Sequence, residues 1–100
     1  MSKTNSQILP IDDRRSRRTD VRLTATIDLG PGRSTTAIVQ NVSAHGLMVE
    51  IDKRLVPGRP VAVEMKGLGR VPGRIAWTRD GHTGVAFVEP LTPEQINAIV

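Results

Sequence analysis

The chain contains no cysteine, and its aromatic residues are limited to one tryptophan and one phenylalanine. Without thiols it has no disulfide framework, no cysteine-ligated zinc and no thiol nucleophile, which agrees with a reducing compartment. No apolar run approaches the roughly 20 residues of a membrane-spanning helix, and the polar first residues lack the apolar stretch of a secretory signal. We therefore expect one cytoplasmic domain without membrane insertion.

Catalytic patterns are also missing from the sequence. The two histidines, His45 and His82, fall in predicted turns, and no His/Asp/Glu cluster has the spacing of a metal site. The adjacent carboxylates Asp12 and Asp13 lie among arginines that would keep them ionised, which makes them unsuitable as a general acid. The sequence therefore predicts a binding protein and not an enzyme.

Positive charge is concentrated at the start of the chain. Residues 1–22 carry six basic and three acidic side chains, a net charge of +3, whereas residues 23–100 carry eight and seven, a net charge of +1. Four arginines occupy the five positions 14–18. Such a patch favours an anionic partner, because arginine pairs with phosphate through two parallel hydrogen bonds and stacks on flat rings. A solvated cluster or a nonspecific basic arm would have the same composition.

Six short segments with β-strand character follow, separated by Gly/Pro turns about ten residues apart: 21–29, 34–40, 46–51, 60–65, 70–77 and 83–88. This spacing predicts an all-β barrel or sandwich, and a six-stranded antiparallel barrel over residues 21–89 is favoured, since a closed barrel leaves no exposed sheet edge. Thr92, Pro93 and Gln95 have the pattern of a helix start, which predicts a short C-terminal helix over residues 92–100. Residues 1–11 are expected to be a disordered tail.

Two further segments offer candidate binding residues. The turn Asn41-Val-Ser-Ala-His-Gly46 has two interpretations. Asn41 and Ser43 either bond the local backbone while Gly46 takes a positive φ, or they present an amide and a hydroxyl at the barrel rim while Gly46 lets a ligand approach closely. Trp77 shares strand parity with Ile75, which favours a core position over an exposed one that could stack on a ligand or contact a partner protein.

The sequence Arg14-x-x-x-Arg18 followed by Asn41-x-Ser43-x-x-Gly46 resembles the paired signature of the PilZ domain family, whose members are cyclic di-GMP receptors built on a six-stranded barrel. Residues 84–87, Gly-Val-Ala-Phe, are similar to that family's closing strand. The resemblance covers residues 12–90. Each half of the signature is weak alone, but both halves in this order are far more specific.

The resemblance implies a ligand site for cyclic di-GMP. Arg14 and Arg18 would contact guanine faces and phosphates, Asn41 and Ser43 would bond guanine and phosphate groups, and Gly46 would keep the surface open. Auxiliary contacts are expected from Arg15, Arg17, His45 and Trp77. The family often has Asp where this chain has Asn41, and it commonly has small apolar residues where this chain has Thr19 and Asp20. We expect Asp20 to weaken binding, since it adds a negative charge near a phosphate.

These features predict a stand-alone receptor in which cyclic di-GMP orders the switch segment 12–20 on the barrel. The altered surface would then signal to a partner protein that is not yet identified, in the control of motility, adhesion or virulence. Two alternatives remain. One is a small RNA- or DNA-binding barrel with a basic arm, which the shortage of aromatic residues disfavours. The other is a degenerate PilZ-like module that binds only protein.

Overall fold

The computed structural model describes residues 18–100; the predictions for residues 1–17, including Arg14, Arg15 and Arg17, lie outside it. The described residues form six strands and one helix in the order β1 (Thr19–Gly30), β2 (Arg33–Val42), β3 (Gly46–Glu50), β4 (Pro60–Met65), β5 (Gly69–Arg79), β6 (His82–Phe87) and α1 (Pro93–Asn97). Every pair of neighbouring strands is antiparallel, and the strands close into a barrel with the order β1-β2-β3-β6-β5-β4. The predicted six-stranded barrel is confirmed.

Strict alternation of side chains builds the barrel interior. Along β1 the buried residues are Ala25, Ile27 and Leu29, while the residues between them face outward. Alternation also marks β3 and much of β2 and β5, whereas β4 and β6 each bury three consecutive residues. The largest fully buried apolar side chains of the core are Ile27, Ile75, Val39, Val42, Val49 and Val63. Full burial of such a side chain contributes about 1.5–3 kcal/mol, so the branched aliphatic residues supply most of the stability of this small domain.

The C-terminal segment covers the barrel at the turn between β4 and β5. The Thr92 hydroxyl accepts a hydrogen bond from the Gln95 backbone N–H (3.1 Å), and the Gln95 side chain accepts one from the Thr92 N–H (2.8 Å). This reciprocal cap fixes the start of α1 as the sequence predicted. Leu91 and Ile99 on either side of the helix are buried in the core. Within residues 18–100, no helix has the length and apolar character needed to cross a membrane.

Side chains reinforce the narrowest seam of the barrel, where β1 pairs with β4 over only three residue pairs. Arg70 on β5 donates hydrogen bonds to Asp28 on β1 (2.6 Å) and to Glu64 on β4 (2.9 Å). Arg59 also crosses the seam, since its guanidinium donates to the Leu29 carbonyl oxygen (2.8 Å). These contacts connect strands that share few backbone hydrogen bonds.

The seam makes stability depend on pH. The Gly30 backbone N–H and the Arg70 guanidinium hold the pKa of Asp28 below its ordinary value. A carboxyl whose pKa falls on folding stabilises the protein above its unfolded pKa, near 4, and this contribution is lost as the pH falls through the folded pKa. We expect Asp28→Asn to lower the melting temperature at pH 7, and we expect the difference from the parent protein to narrow below about pH 4. Glu89→Gln, a change at an exposed carboxylate outside the seam, is the control. A difference that stays constant with pH would show that charge is not the cause.

Candidate ligand site

Arg18, the last residue of the arginine segment 14–18, contacts Asn41, the first residue of the Asn41–Gly46 turn. Arg18 directly precedes β1, and the β1–β2 register places Asp20 opposite Asn41 and Thr19 opposite Val42. The Arg18 guanidinium donates a hydrogen bond from Nη1 to Asn41 Oδ1 at 2.8 Å. Two residues that are 23 positions apart in sequence, one from each half of the predicted site, are therefore in direct contact.

This contact leaves several hydrogen-bonding groups for a ligand. Arg18 is exposed and Asn41 is half-buried on the outer face of β2. A guanidinium carries five N–H donors, of which the bond to Asn41 uses one, and the Asn41 carboxamide keeps its NH₂ group as a donor. The pair can therefore present several donors together, which suits phosphate oxygens and the acceptor atoms of a guanine ring.

Ser43 stabilises the turn in this structure. Its backbone N–H donates to the Gly46 carbonyl oxygen at 2.8 Å, and its hydroxyl donates to the same oxygen at 3.3 Å. The hydroxyl also accepts from the His45 backbone N–H at 3.3 Å. Ser43 is only 3% exposed. These contacts match the interpretation of local backbone bonding, so direct contact between Ser43 and a ligand stays a prediction.

The last residue of β6 and the segment that follows it hold the turn in place. The Phe87 N–H donates to the His45 carbonyl oxygen (2.9 Å), and the Leu91 N–H donates to the Ala44 carbonyl oxygen (2.7 Å). Both bonds connect the turn to a part of the chain more than 40 residues away in sequence. The His45 side chain remains exposed. These two bonds, together with those made by Ser43, hold the backbone of the turn in one conformation.

Gly46 is required for a different reason than the sequence suggested. Its φ is not positive, so the expected left-handed conformation is wrong. Gly46 pairs with Ala86 of β6, and a Cβ atom at Gly46 would overlap the Val85 carbonyl oxygen. The position that a side chain of residue 46 would occupy therefore lies against strand β6. Its effect on ligand access stays a prediction, whereas its role in bringing β3 close to β6 is evident.

Trp77 lies on the outer face of the barrel with 38% of its surface exposed, so the favoured core position is wrong. The register of β5 against β6 shifts between Ile75 and Trp77. This β-bulge turns the Trp77 side chain to the face of the sheet opposite to Ile75. The indole packs over Gly84, where a Cβ atom would overlap the ring, and the Arg79 guanidinium lies 5.8 Å from the ring centroid.

The outward-facing residues Asn41, Met48, Gly84 and Trp77 are register partners across four adjacent strands. Trp77 is therefore three strand spacings from Asn41, about 14 Å at the usual spacing. The exposed Asp20 lies beside Asn41 on its other side. Within the described residues no group of three or more His, Cys, Asp or Glu side chains could hold a metal ion. Asp20, Asn41 and Trp77 thus lie along one row on the outer wall of the barrel, with Met48 and Gly84 between Asn41 and Trp77.

The strand order and the contact between Arg18 and Asn41 define a small, closed, six-stranded antiparallel β-barrel with polar side chains on its outer wall. The family model described as "PilZ domain" matches residues 12–100, and the chain belongs to the PilZ domain family, a family of cyclic di-GMP receptors. PilZ domains are binding domains and not catalytic ones. The predicted membership is confirmed.

A solved structure gives independent support for the fold. The crystal structure of the PilZ domain of CeSA from a cellulose-synthesizing bacterium superposes with a TM-score of 0.64 at 17% sequence identity, covering 83% of this chain and 91% of that chain. At this identity the likeness concerns the fold alone. No curated protein matches the chain.

Proposed function

We propose that this protein binds cyclic di-GMP where Arg18 meets Asn41. The hydrogen bond of 2.8 Å between these side chains carries the proposal, because it joins the two halves of the family signature on one surface. Family membership supplies the ligand class. Arg18, and Arg14 from the same signature, would pair with guanine and phosphate groups, and Asn41 would orient Arg18 and donate to the ligand.

The remaining residues have distinct proposed roles. Ser43 would act chiefly by shaping the turn, since its hydroxyl already bonds within it. Its hydroxyl would reach the ligand only after a local rearrangement. Arg15, Arg17 and the exposed His45 would add charge or hydrogen bonds at the edge of the site. Asp20 would reduce affinity through repulsion of a phosphate.

Ligand binding would change the surface that the protein presents. A dianionic dinucleotide would neutralise the arginine segment and draw it against the start of β1. Each charge-assisted bond contributes about 1.5–3 kcal/mol, offset by about 1–2 kcal/mol for each backbone residue that becomes ordered. We expect an affinity on the order of micromolar. We propose that a partner protein recognises the altered surface and passes the signal to processes such as motility, adhesion or virulence.

Isothermal titration calorimetry tests this function directly. Cyclic di-GMP should bind with an affinity on the order of micromolar, whereas GTP and a short oligonucleotide should bind at least about 30-fold more weakly. Preference for the oligonucleotide would instead support a nucleic-acid-binding barrel, in which the exposed Trp77 would stack on a base. Failure to bind any of the three would support a module that contacts only protein. Equal affinity for all three would indicate a nonspecific basic arm.

A further inference from the structure

Strand β2 contains a β-bulge directly before Asn41. Against β3, Val39 lies opposite Val49, and the next register partners are Asn41 and Met48. Two consecutive β2 residues, Gln40 and Asn41, therefore face the single residue Met48, which is the arrangement of a bulge. The register of β2 against β1 also shifts over this stretch. The irregularity thus lies beside the proposed ligand site, and bulges in such places often redirect a side chain.

The core makes a bulge necessary at this point of β2. Val39 and Val42 are both 0% exposed, although they are three positions apart. A regular strand directs residues with this spacing to opposite faces, so only one of the two valines could enter the core. One extra residue between them allows both to be buried. It also places the Asn41 side chain on the outer wall, whereas regular alternation would give Asn41 the inward direction of Val39.

A side-chain hydrogen bond to β3 holds the bulge on the outer wall. Gln40 donates from Nε2 to Glu50 Oε1 at 3.0 Å, and Glu50 is exposed at the end of β3. Asn41 is bonded in the other direction, because it accepts from Arg18, the residue that precedes β1. Strand β2 lies between β1 and β3 in the barrel. The two neighbouring carboxamides are therefore drawn apart, Gln40 toward β3 and Asn41 toward β1.

We propose that Gln40, through its hydrogen bond to Glu50, is a positioning residue that directs Asn41 toward Arg18 and the ligand. The core fixes the two buried valines but not the directions of the polar side chains between them. The bond to Glu50 selects one of these directions for Gln40 and so leaves the place beside Arg18 to Asn41. This role rests on the proposed function, because it concerns the residue pair that would bind cyclic di-GMP.

Removing Glu50 separates positioning from simple electrostatics, because the two effects have opposite signs. A carboxylate near an anionic ligand repels it, so the loss of that charge alone would strengthen binding. Positioning predicts instead that Glu50→Ala weakens cyclic di-GMP binding about fivefold, equivalent to about 1 kcal/mol, the net value of one hydrogen bond. Glu50→Gln keeps an acceptor oxygen without the charge, so we expect it to bind at least as tightly as the parent protein.

A double-mutant cycle in titration calorimetry tests whether Gln40 and Glu50 act through the same bond. Gln40→Met removes the donor at similar length and should also weaken binding about fivefold. The double variant Gln40→Met/Glu50→Ala should lose no more than either single variant, because each change breaks the same bond. Asp52→Ala, which removes an exposed carboxylate just beyond β3, is the control and should not weaken binding. Additive losses, or a Glu50→Ala variant that binds as tightly as the parent protein, would overturn the proposal.

Nuclear Overhauser cross-peaks between the Arg18 and Asn41 side chains test the positioning without any ligand. We expect these cross-peaks in the parent protein and in Glu50→Gln, and their loss in Gln40→Met and Glu50→Ala. Should the parent protein fail to bind cyclic di-GMP while the cross-peaks still depend on Gln40, the proposed function is wrong and the control of Asn41 by Gln40 stands. Cross-peaks that persist in both variants, or that are absent from the parent protein, contradict the positioning role itself.

Discussion

Replacing Arg18 with alanine is expected to weaken cyclic di-GMP binding by about 100-fold without unfolding the protein. The guanidinium of Arg18 is exposed and directed by Asn41, so its loss removes up to two charge-assisted hydrogen bonds to the ligand but no core contact. Each such bond contributes about 1.5–3 kcal/mol, and about 2.7 kcal/mol corresponds to the stated change. Titration calorimetry gives the affinity, and circular dichroism confirms that the barrel is retained.

Arg54→Ala is the matched control for this change. Arg54 is also an exposed arginine, and it follows β3 at the other end of the barrel. Both variants lose one positive charge, so a general attraction to anions would weaken equally in each. We expect Arg54→Ala to reduce the affinity for cyclic di-GMP by less than about threefold at 0.15 M salt. The Debye length at this salt concentration is about 8 Å, and exposed charges farther apart than that are largely screened from one another. Equal losses in the two variants would contradict a specific site at Arg18.

Arg18→Lys separates charge from geometry. Lysine keeps the positive charge but lacks the planar fork that forms two parallel hydrogen bonds. We expect its affinity to fall between those of the parent protein and Arg18→Ala. Full recovery with lysine would show that Arg18 acts only as a point charge.

The six strands could be predicted from the sequence because a strand that is buried on one face alternates apolar and polar residues along the chain. β4 was predicted with its observed bounds, Pro60–Met65, and the other strands differ by one or two residues at their ends. The start of β1 at Thr19 was not expected. Polar residues such as Thr19 and Asp20 form a strand here because β2 continues to Asn41 and Val42 and pairs with them, a tertiary effect that local composition does not contain.

The position of Trp77 shows where alternation fails. Counting by twos from Ile75 predicts a core side chain, but a single β-bulge reverses the parity for every residue beyond it. Gly84 offered a sign of this outcome, since a glycine opposite a large ring leaves room for the ring to lie flat. That sign becomes visible only once the register between β5 and β6 is known.

The site was predicted through the family resemblance more than through physical reasoning. The family signature supplied both the two arginines and the Asn–Ser–Gly turn, and in the structure Arg18 contacts Asn41. Their contact with a ligand stays a prediction. Composition could not show that Ser43 would be buried, because its burial depends on Phe87 and Leu91 returning to bond the turn. Long-range hydrogen bonds of this kind leave no local pattern.

Gly46 is the position where one methyl group should cause the largest loss of stability. A Cβ atom there would overlap the Val85 carbonyl oxygen, which belongs to the backbone of β6 and cannot rotate away as a side chain would. The strands β3 and β6 must separate locally, which strains the pairing of Gly46 with Ala86. We expect Gly46→Ala to reduce the free energy of unfolding by about 3 kcal/mol, at the upper end of the range for overpacked sites. For a domain of this size the melting temperature should fall by more than about 10 °C.

Gly32→Ala distinguishes steric overlap from the general cost of replacing glycine. Gly32 has a φ of +71° in the β1–β2 turn, and no atom lies within 4 Å of the position of a Cβ there. Its replacement carries only the cost of a left-handed alanine, about 1 kcal/mol. Urea unfolding of both variants measures the difference, and Gly46→Ala should have the lower midpoint with an unchanged slope. Equal losses would mean that β6 can move aside at Val85, and Gly46 would then be explained by access to the ligand and not by the approach of the two strands.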